Sequence, residues 1–404
     1  MKNLIIIGKV FPEPNSTAAG FRMIQLMDSF LAQDYQITFI STASISENSF
    51  DLSSKNIQFQ NILLNDNSFD ELIKNLNPDV VVFDRFTTEE QFGWRVSEQV
   101  PNALKILDTE DLHFLRNARE KAFKQNKVLE NSDLINDVFK RELASILRCD
   151  LSLIISEFEM NLLIEKFKID ENILFYLPLF GEVKKSETPF FERKNFISIG
   201  NFLHEPNWQT VLQLKKLWKD IKKQLPEAEI HIYGAYTSEK VFQLHNEKEG
   251  FIIKGRAENV ESVFSQAKVL VAPIPFGAGI KGKLLESMQF GLPNVTSAVG
   301  AEAMQGNHDW NGFITDNETE FVEKAVLLYR DENFWQIYQE NGFNIIENRF
   351  KKELFEPHFI HKIQEISENL ESHRNQNFLG QILQHHTLQS TKYLSKWIEE
   401  KNKK

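Results

Sequence analysis

The densest chemistry in the chain lies in the run Ala272-Pro273-Ile274-Pro275-Phe276-Gly277-Ala278-Gly279-Ile280-Lys281-Gly282-Lys283-Leu284-Leu285-Glu286, which continues to Phe290-Gly291-Leu292-Pro293. The pattern predicts a strand, a glycine-rich loop, a helix opening near Gly282 and a Gly-Leu-Pro exit. Gly277, Gly279 and Gly282 allow the backbone to approach a ligand, and the free N–H groups of a helix start attract an anion. Lys281 and Lys283 add two positive charges there, and Glu286, one turn into the helix, is placed to accept hydrogen bonds from ribose hydroxyls. A diphosphate suits this chemistry. The plainer alternative is a tight strand-to-helix turn with two solvated lysines and a surface glutamate.

Two further segments follow strands in the first half. Pro12-Glu13-Pro14-Asn15-Ser16-Thr17-Ala18-Ala19-Gly20-Phe21-Arg22 enters a helix through small residues, so Gly20 and Arg22 are candidates for donor-phosphate or acceptor contact, against a simple capping loop. Ile106-Leu107-Asp108-Thr109-Glu110-Asp111-Leu112-His113 leaves a strand for a long helix. A histidine at position 113 suits orienting an acceptor or polarising a hydroxyl. Asp108 and Asp111 read equally well as helix caps. Asp84 and Arg85 also follow a strand, where a salt-bridged loop explains them as well as a site does. No His or Cys cluster has zinc-ligand spacing, and no Asp-x-Asp stands at a strand end to hold a metal diphosphate, so metal-independent chemistry with no cofactor is expected.

Short apolar β-branched runs alternate with helical patterns through most of the chain, the signature of βαβ units on parallel sheets. Strands are expected near 3–8, 36–41, 79–84, 104–108 and 151–156, with helices near 18–33, 88–99, 111–147 and 157–167. The pattern restarts after the polar stretch Gly181-Glu182-Val183-Lys184-Lys185-Ser186-Glu187-Thr188-Pro189. Strands follow near 196–200, 229–233, 251–254, 268–272 and 293–297, with helices between. The resulting division is a first domain at 1–182, a linker at 183–195, a second domain at 196–370 and a helical extension at 371–404. Each half opens on an apolar strand ending in glycine, Ile7-Gly8 and Ile199-Gly200, and such sheets bind ligands beyond the carboxyl ends of their strands. Neither glycine starts a Gly-x-Gly-x-x-Gly fingerprint, which counts against a dinucleotide dehydrogenase. The expected fold class is α/β, two Rossmann-like doubly wound domains facing a central cleft.

The 404 residues suit two domains. A net charge of −11 argues against a broad nucleic-acid-binding face, and the single Cys149 allows no internal disulfide. No run approaches the roughly 18 apolar residues of a membrane span, so a cytoplasmic protein is expected. Leu383, Leu394, Trp397 and Ile398 make 381–400 amphipathic: a helix packed on the body, or one that docks at a membrane surface or partner.

The run Phe276 to Glu286, with Gly291-Leu292-Pro293 and Val299-Gly300-Ala301-Glu302, resembles the donor segment of glycosyltransferase family 4, within the GT-B fold. The resemblance extends to Gly200-Asn201 and Pro206-Asn207, covering 196–330 well and 1–180 loosely. It implies a retaining transferase. The second domain would bind a nucleotide-sugar through Gly200, Asn201, Gly277, Gly279, Lys281, Gly282, Lys283, Glu286 and Glu302, with Gly20 and Arg22 across the cleft. His113 resembles the family's histidine near the reacting sugar; the assigned catalytic set is His113, Asp111 and Lys281. The acceptor would be a polysaccharide, lipid-linked sugar or glycoconjugate, reached at the inner membrane face where it is lipid-linked. Two departures stand out. The family's first motif glutamate is Ala278 here, and the basic pair expected after the second domain's first strand is absent from Asn201-Phe202-Leu203-His204-Glu205-Pro206. Lys281 and Lys283 are expected to take over the phosphate role. Ala278 lends weight to a non-catalytic sugar-nucleotide-binding or assembly protein, and the architecture also serves nucleotide-sugar 2-epimerases.

Overall fold

The computed structural model describes residues 2–402. The first domain runs β1 (Lys2–Gly8), α1 (Ala18–Leu31), β2 (Tyr35–Ser41), β3 (Gln58–Asn61), α2 (Ser68–Leu76), β4 (Val80–Asp84), α3 (Phe86–Gln99), β5 (Leu104–Asp108), α4 (His113–Lys124), α5 (Asp137–Arg148), β6 (Leu151–Ile154), α6 (Glu157–Asn161) and β7 (Leu174–Tyr176). The second runs β8 (Lys194–Ile199), α7 (Glu205–Gln224), β9 (Ile230–Tyr233), α8 (Glu239–Phe242), β10 (Phe251–Gly255), α9 (Val260–Gln266), β11 (Ala267–Ala272), α10 (Gly282–Gln289), β12 (Asn294–Thr296), α11 (Ala298–Ala301), β13 (Gly312–Ile314), α12 (Glu318–Arg330) and α13 (Glu332–Ile345). Three helices close the chain: α14 (Glu356–Glu368), α15 (Leu370–Gln376) and α16 (Phe378–Asn402).

Both sheets are wholly parallel, in the orders β3-β2-β1-β4-β5-β6-β7 and β10-β9-β8-β11-β12-β13. Helices cover both faces, so the middles of the central strands are apolar on both faces and split by parity. Leu4 and Ile6 join one core with Val80 and Val82; Ile5 and Ile7 join the opposite one with Val81 and Phe83. In the second sheet Val269 and Val271 face one core, Leu270 and Ala272 the other. The fold is the expected pair of α/β Rossmann-like domains.

The expected 111–147 helix is two helices. It breaks after Lys124, where Gln125 closes the turn and Asn126 takes φ +50, and resumes when Asn136 caps α5 by accepting from the Phe139 amide. The chain also returns to the first domain after α13. Phe359, Ile363 and Ile366 of α14 join the core of the first sheet, and Arg374 of α15 pairs with Asp150 at 2.7 and 2.8 Å. In α16, Glu399 and Ser395 bond the buried Arg95, which also holds Asp70. Gly380 is needed at that contact, since a β-carbon there would lie 2.1 Å from the Leu147 carbonyl oxygen. Helix α16 therefore lies on the first domain, while Phe378, Leu379, Ile382, Tyr393, Leu394 and Trp397 stay exposed on its outer side.

Candidate functional site

Each sheet reverses its winding at one place: between β1 and β4 in the first, between β8 and β11 in the second. Crevices at such reversal points, beyond the strand carboxyl ends, are where doubly wound sheets bind ligands. The two crevices face each other and enclose a cavity of about 610 Å³. It is lined by Lys9 and Arg85 after β1 and β4, and by Gly200, Asn201 and residues 276–283 after β8 and β11.

The second-domain half is built for an anion. Gly279 turns the loop at φ +64, and α10 starts at Gly282. Gly282 abuts the first turn of α1, so two helix starts meet at the cavity. Thr17 caps α1 by accepting from the Gly20 amide at 2.9 Å. The amides of Ala18, Ala19, Gly282 and Lys283 have no partner among the described residues, and all four residues line the cavity. Helix dipoles and free amides together favour a negative ligand between them. The Lys281 ammonium donates to the Gly279 carbonyl at 2.7 Å and Lys283 to Asn207 Oδ1 at 2.8 Å. Each keeps two further N–H donors. Burial pushes Lys281 down to about 8, opposed by Glu302 and reinforced by Arg119. Burial likewise pushes Lys283 down to about 8, opposed by Glu286. Glu286 is pushed up to about 7 by burial, against the pull of Lys283. Near pH 7 both lysines are then mostly ammonium, and a bound anion raises that share further. Asn207, which also donates to the Asn201 carbonyl, requires Gly200: a β-carbon there would sit 2.6 Å from the Asn207 side chain.

The first-domain half centres on the turn from β5 to α4. Glu142 of α5, wholly buried, accepts from the His113 and Phe114 amides and caps α4 from outside. His113 Nδ1 lies 3.0 Å from the Asp111 carbonyl and 3.1 Å from Glu142 Oε1. Both neighbours only accept, so Nδ1 carries the proton and Nε2 is the ring nitrogen left for a ligand. Burial raises Asp111, yet Arg116 and then His113 hold it well below the usual carboxylate range. Asp108, wholly buried, binds Arg22 Nε at 2.8 and 3.1 Å. Burial and the Arg116 charge hold His204, across the cleft, down to about 4, so it is neutral.

Ties between the domains fix the two halves in register. Arg119 of α4 forms a two-pronged ion pair with Glu302 at 2.6 and 2.8 Å and also donates to the Gly277 carbonyl. Buried Glu159 accepts from the Leu112 amide at 3.0 Å and the Gly279 amide at 2.9 Å, joining the histidine turn to the glycine loop. Burial, helped by Asp111, pushes it up to about 8. Tyr236 donates to Glu13 across the cleft rim at 2.8 and 2.9 Å.

Of the residues singled out by sequence, His113, Asp111, Gly200, Asn201, Gly277, Gly279, Lys281, Gly282, Lys283 and Glu286 converge on this cavity. Gly20, Arg22 and Glu302 do not line it. Gly20 packs its α-carbon against the Glu13 backbone, Arg22 is committed to Asp108 and the Leu177 carbonyl, and Glu302 is committed to Arg119. Sequence reasoning passed over Lys9, Glu110, Arg116 and His204 as site residues and left Arg85 as a loop pair; all five line the cavity. Lys9 and Arg85 had a signal, since each directly follows a strand beside the winding reversal. Among the described residues no group of three His, Cys, Asp or Glu could hold a metal ion, and no helix is long and apolar enough to cross a membrane.

Two facing Rossmann-like domains with an anion cradle between them define the GT-B architecture, and comparison with known proteins agrees. Residues 193–331 match the family described as glycosyl transferases group 1. Sucrose-phosphate synthase of Thermosynechococcus elongatus superposes with a TM-score of 0.70 at 14% identity, over 91% of this chain and 99% of that one. TarM of S. aureus, in a mutant form bound to Fondaparinux, alpha-GlcNAc-glycerol and UDP, gives 0.68 at 9% identity, over 90% and 100%. HepE of Anabaena with UDP and glucose gives 0.66 at 11% identity, over 92% and 100%. No curated protein sequence matches the chain. The second domain thus matches glycosyl transferases group 1 over residues 193–331, and the chain as a whole shares the GT-B fold.

Proposed function

We propose that the chain transfers a sugar from a nucleotide-diphosphate-sugar to a hydroxyl of a glycan, lipid-linked sugar or glycoconjugate acceptor, with retention and without a bound metal. The observation that carries this is the meeting of two helix starts, with four free amides, beside Lys281 and Lys283. A leaving diphosphate gathers negative charge as the bond from the anomeric carbon to its oxygen breaks, and preorganised donors at that place lower the barrier. The acceptor oxygen bonds the anomeric carbon and its proton passes to the departing phosphate. His113 Nε2 is available to bind a donor-sugar hydroxyl. UDP in the TarM and HepE structures supports a nucleotide diphosphate as the ligand of this architecture. Retention rests on the family resemblance.

The reaction is placed in the cytoplasm, at the inner membrane face where the acceptor is lipid-linked; the exposed apolar side of α16 supports surface docking. The test is a panel of labelled nucleotide-sugars followed by product analysis, with and without EDTA. Transfer or slow hydrolysis undiminished by EDTA is expected. Free epimer, binding without turnover, or activity lost to EDTA and restored by Mg²⁺ or Mn²⁺ would each refute a part of the reading.

A further inference from the structure

Neither carboxyl oxygen of Glu110 meets a hydrogen-bond donor among the described residues, although the residue is only 9% exposed and lines the cleft. Buried carboxyls without partners are rare, because they forfeit solvation and receive nothing in return. The backbone holds Glu110 in place at φ +64, a left-handed conformation that residues with a β-carbon seldom adopt. It sits one turn before His113, on the first-domain side, opposite the diphosphate cradle.

Its surroundings are sorted by charge. Asp108 is consumed by Arg22, and Asp111 by Arg116. Three charged side chains that line the cavity are left on this side, Glu110, Arg85 and Lys9, while Asp84 does not line it and accepts from the Lys9 amide at 3.0 Å. The Arg85 guanidinium makes no hydrogen bond and only a loose 3.6 Å approach to Asp84, and the Lys9 ammonium bonds nothing. Glu110 offers free acceptor oxygens beside the free donors of Arg85 and Lys9, so a ligand that both donates and accepts through neutral hydroxyls satisfies all three. Phe21, which also lines the cavity and is 36% exposed, offers an apolar face of the kind the C–H side of a sugar ring covers.

We propose that Glu110 and Arg85 form the acceptor subsite and that it takes an uncharged sugar, Glu110 accepting from one hydroxyl and Arg85 donating to a neighbouring oxygen. This rests on the glycosyl-transfer reading above. The test uses the full chain with a nucleotide-sugar that the parent hydrolyses, and p-nitrophenyl glycosides of uncharged sugars, uronic acids and sugar phosphates as acceptors. Donor Kd is measured by titration alongside acceptor kcat/KM for Glu110→Ala, Glu110→Gln and Arg85→Gln. The parent is expected to glycosylate uncharged members of the panel. Glu110→Ala should lower acceptor kcat/KM at least about tenfold, Glu110→Gln less because its amide still accepts, and donor Kd should stay within about twofold. If Glu110→Ala does not fold, the near-isosteric Glu110→Gln and Arg85→Gln carry the comparison. Acceptor kcat/KM within twofold of the parent in all folded variants overturns the proposal, as does a donor Kd that worsens as much as acceptor kcat/KM. A parent that hydrolyses donor yet glycosylates only uronic acids, only phosphates, or no panel member overturns the uncharged-sugar subsite and leaves glycosyl transfer standing. A parent that neither binds nor hydrolyses any nucleotide-sugar refutes the underlying reading itself.

Discussion

Gly282 and Ala18, the first residues of α10 and α1, touch across the domain boundary: a β-carbon on Gly282 would lie 3.0 Å from that of Ala18. A branched side chain there must therefore push the two helix starts apart. Gly282→Val is expected to lower kcat/KM roughly 100-fold, the scale of a misplacement of about 1 Å in a reacting pair. Ala18→Gly in the same background should recover part of the loss, because it vacates the space the valine needs. Steady-state kinetics on both variants decide the matter; full activity in Gly282→Val would show that the helix starts do not act together.

Lys281→Ala and Lys283→Ala should weaken donor binding or turnover far more than folding. A hydrogen bond to a charged group is typically worth roughly 1.5–3 kcal/mol, which corresponds to about 10- to 150-fold. Each lysine bonds only one protein oxygen, so its loss leaves little unpaired and the melting temperature should barely move. Titration with donor, single-turnover kinetics and thermal unfolding on the single and double variants give the comparison. Donor affinity and turnover within twofold of the parent in all three would place the diphosphate elsewhere.

Donor affinity should peak between about pH 7 and pH 8. The lysines bind diphosphate as ammonium ions, and in the free protein burial lets them deprotonate near 8. Raising the pH through 8 therefore costs up to about tenfold in affinity per pH unit for each lysine. On the acid side Glu286 gains its proton near 7 and becomes a poorer acceptor for ribose hydroxyls. Calorimetric titration from pH 6 to pH 10 traces both limbs, and Glu286→Gln should flatten the acid one. An affinity that is level through pH 9 would detach the lysines from the phosphates.

Arg119 and Glu302 join the domains through a pair only 12% and 16% exposed. A double-mutant cycle with Arg119→Ala and Glu302→Ala should give a coupling of roughly 0.5–3 kcal/mol, since each removal strands the other charge. Both single variants should also open the cleft, read as a larger radius of gyration in small-angle scattering without donor. Unchanged scattering and additive stabilities would reduce the pair to a surface contact.

The periodic parts of this molecule were legible. Leu4-Ile5-Ile6-Ile7 and Val80-Val81-Val82-Phe83 read as buried parallel strands because both their faces are covered, and the glycine loop before Lys281 announced a helix start. The edge strands β3, β7 and β13 were missed; Gln58-Phe59-Gln60-Asn61 is exposed along its whole length. The long helix over 111–147 failed because its break depends on Asn126 turning left-handed and on Asn136 capping afresh, both local events inside a helix-favouring composition. Arg22 and Glu302 suited ligand roles by residue type. Their actual partners, Asp108 and Arg119, stand 86 and 183 positions away, and only the fold brings them together. Glu110 had no signal at all, since what sets it apart is the absence of a partner.

The return of the chain to its own beginning has a bearing on synthesis. Phe359, Ile363 and Ile366 join the apolar layer beneath the first sheet, and the Arg95 cluster is closed by Ser395, Lys396 and Glu399. As the polypeptide leaves the ribosome, the first domain to emerge is thus the last to be sealed. One wall stays open while the second domain, β8 to α13, is made. The seam then holds β1 and α16 on one body, so the first domain is completed only once residues 359–399 have been made.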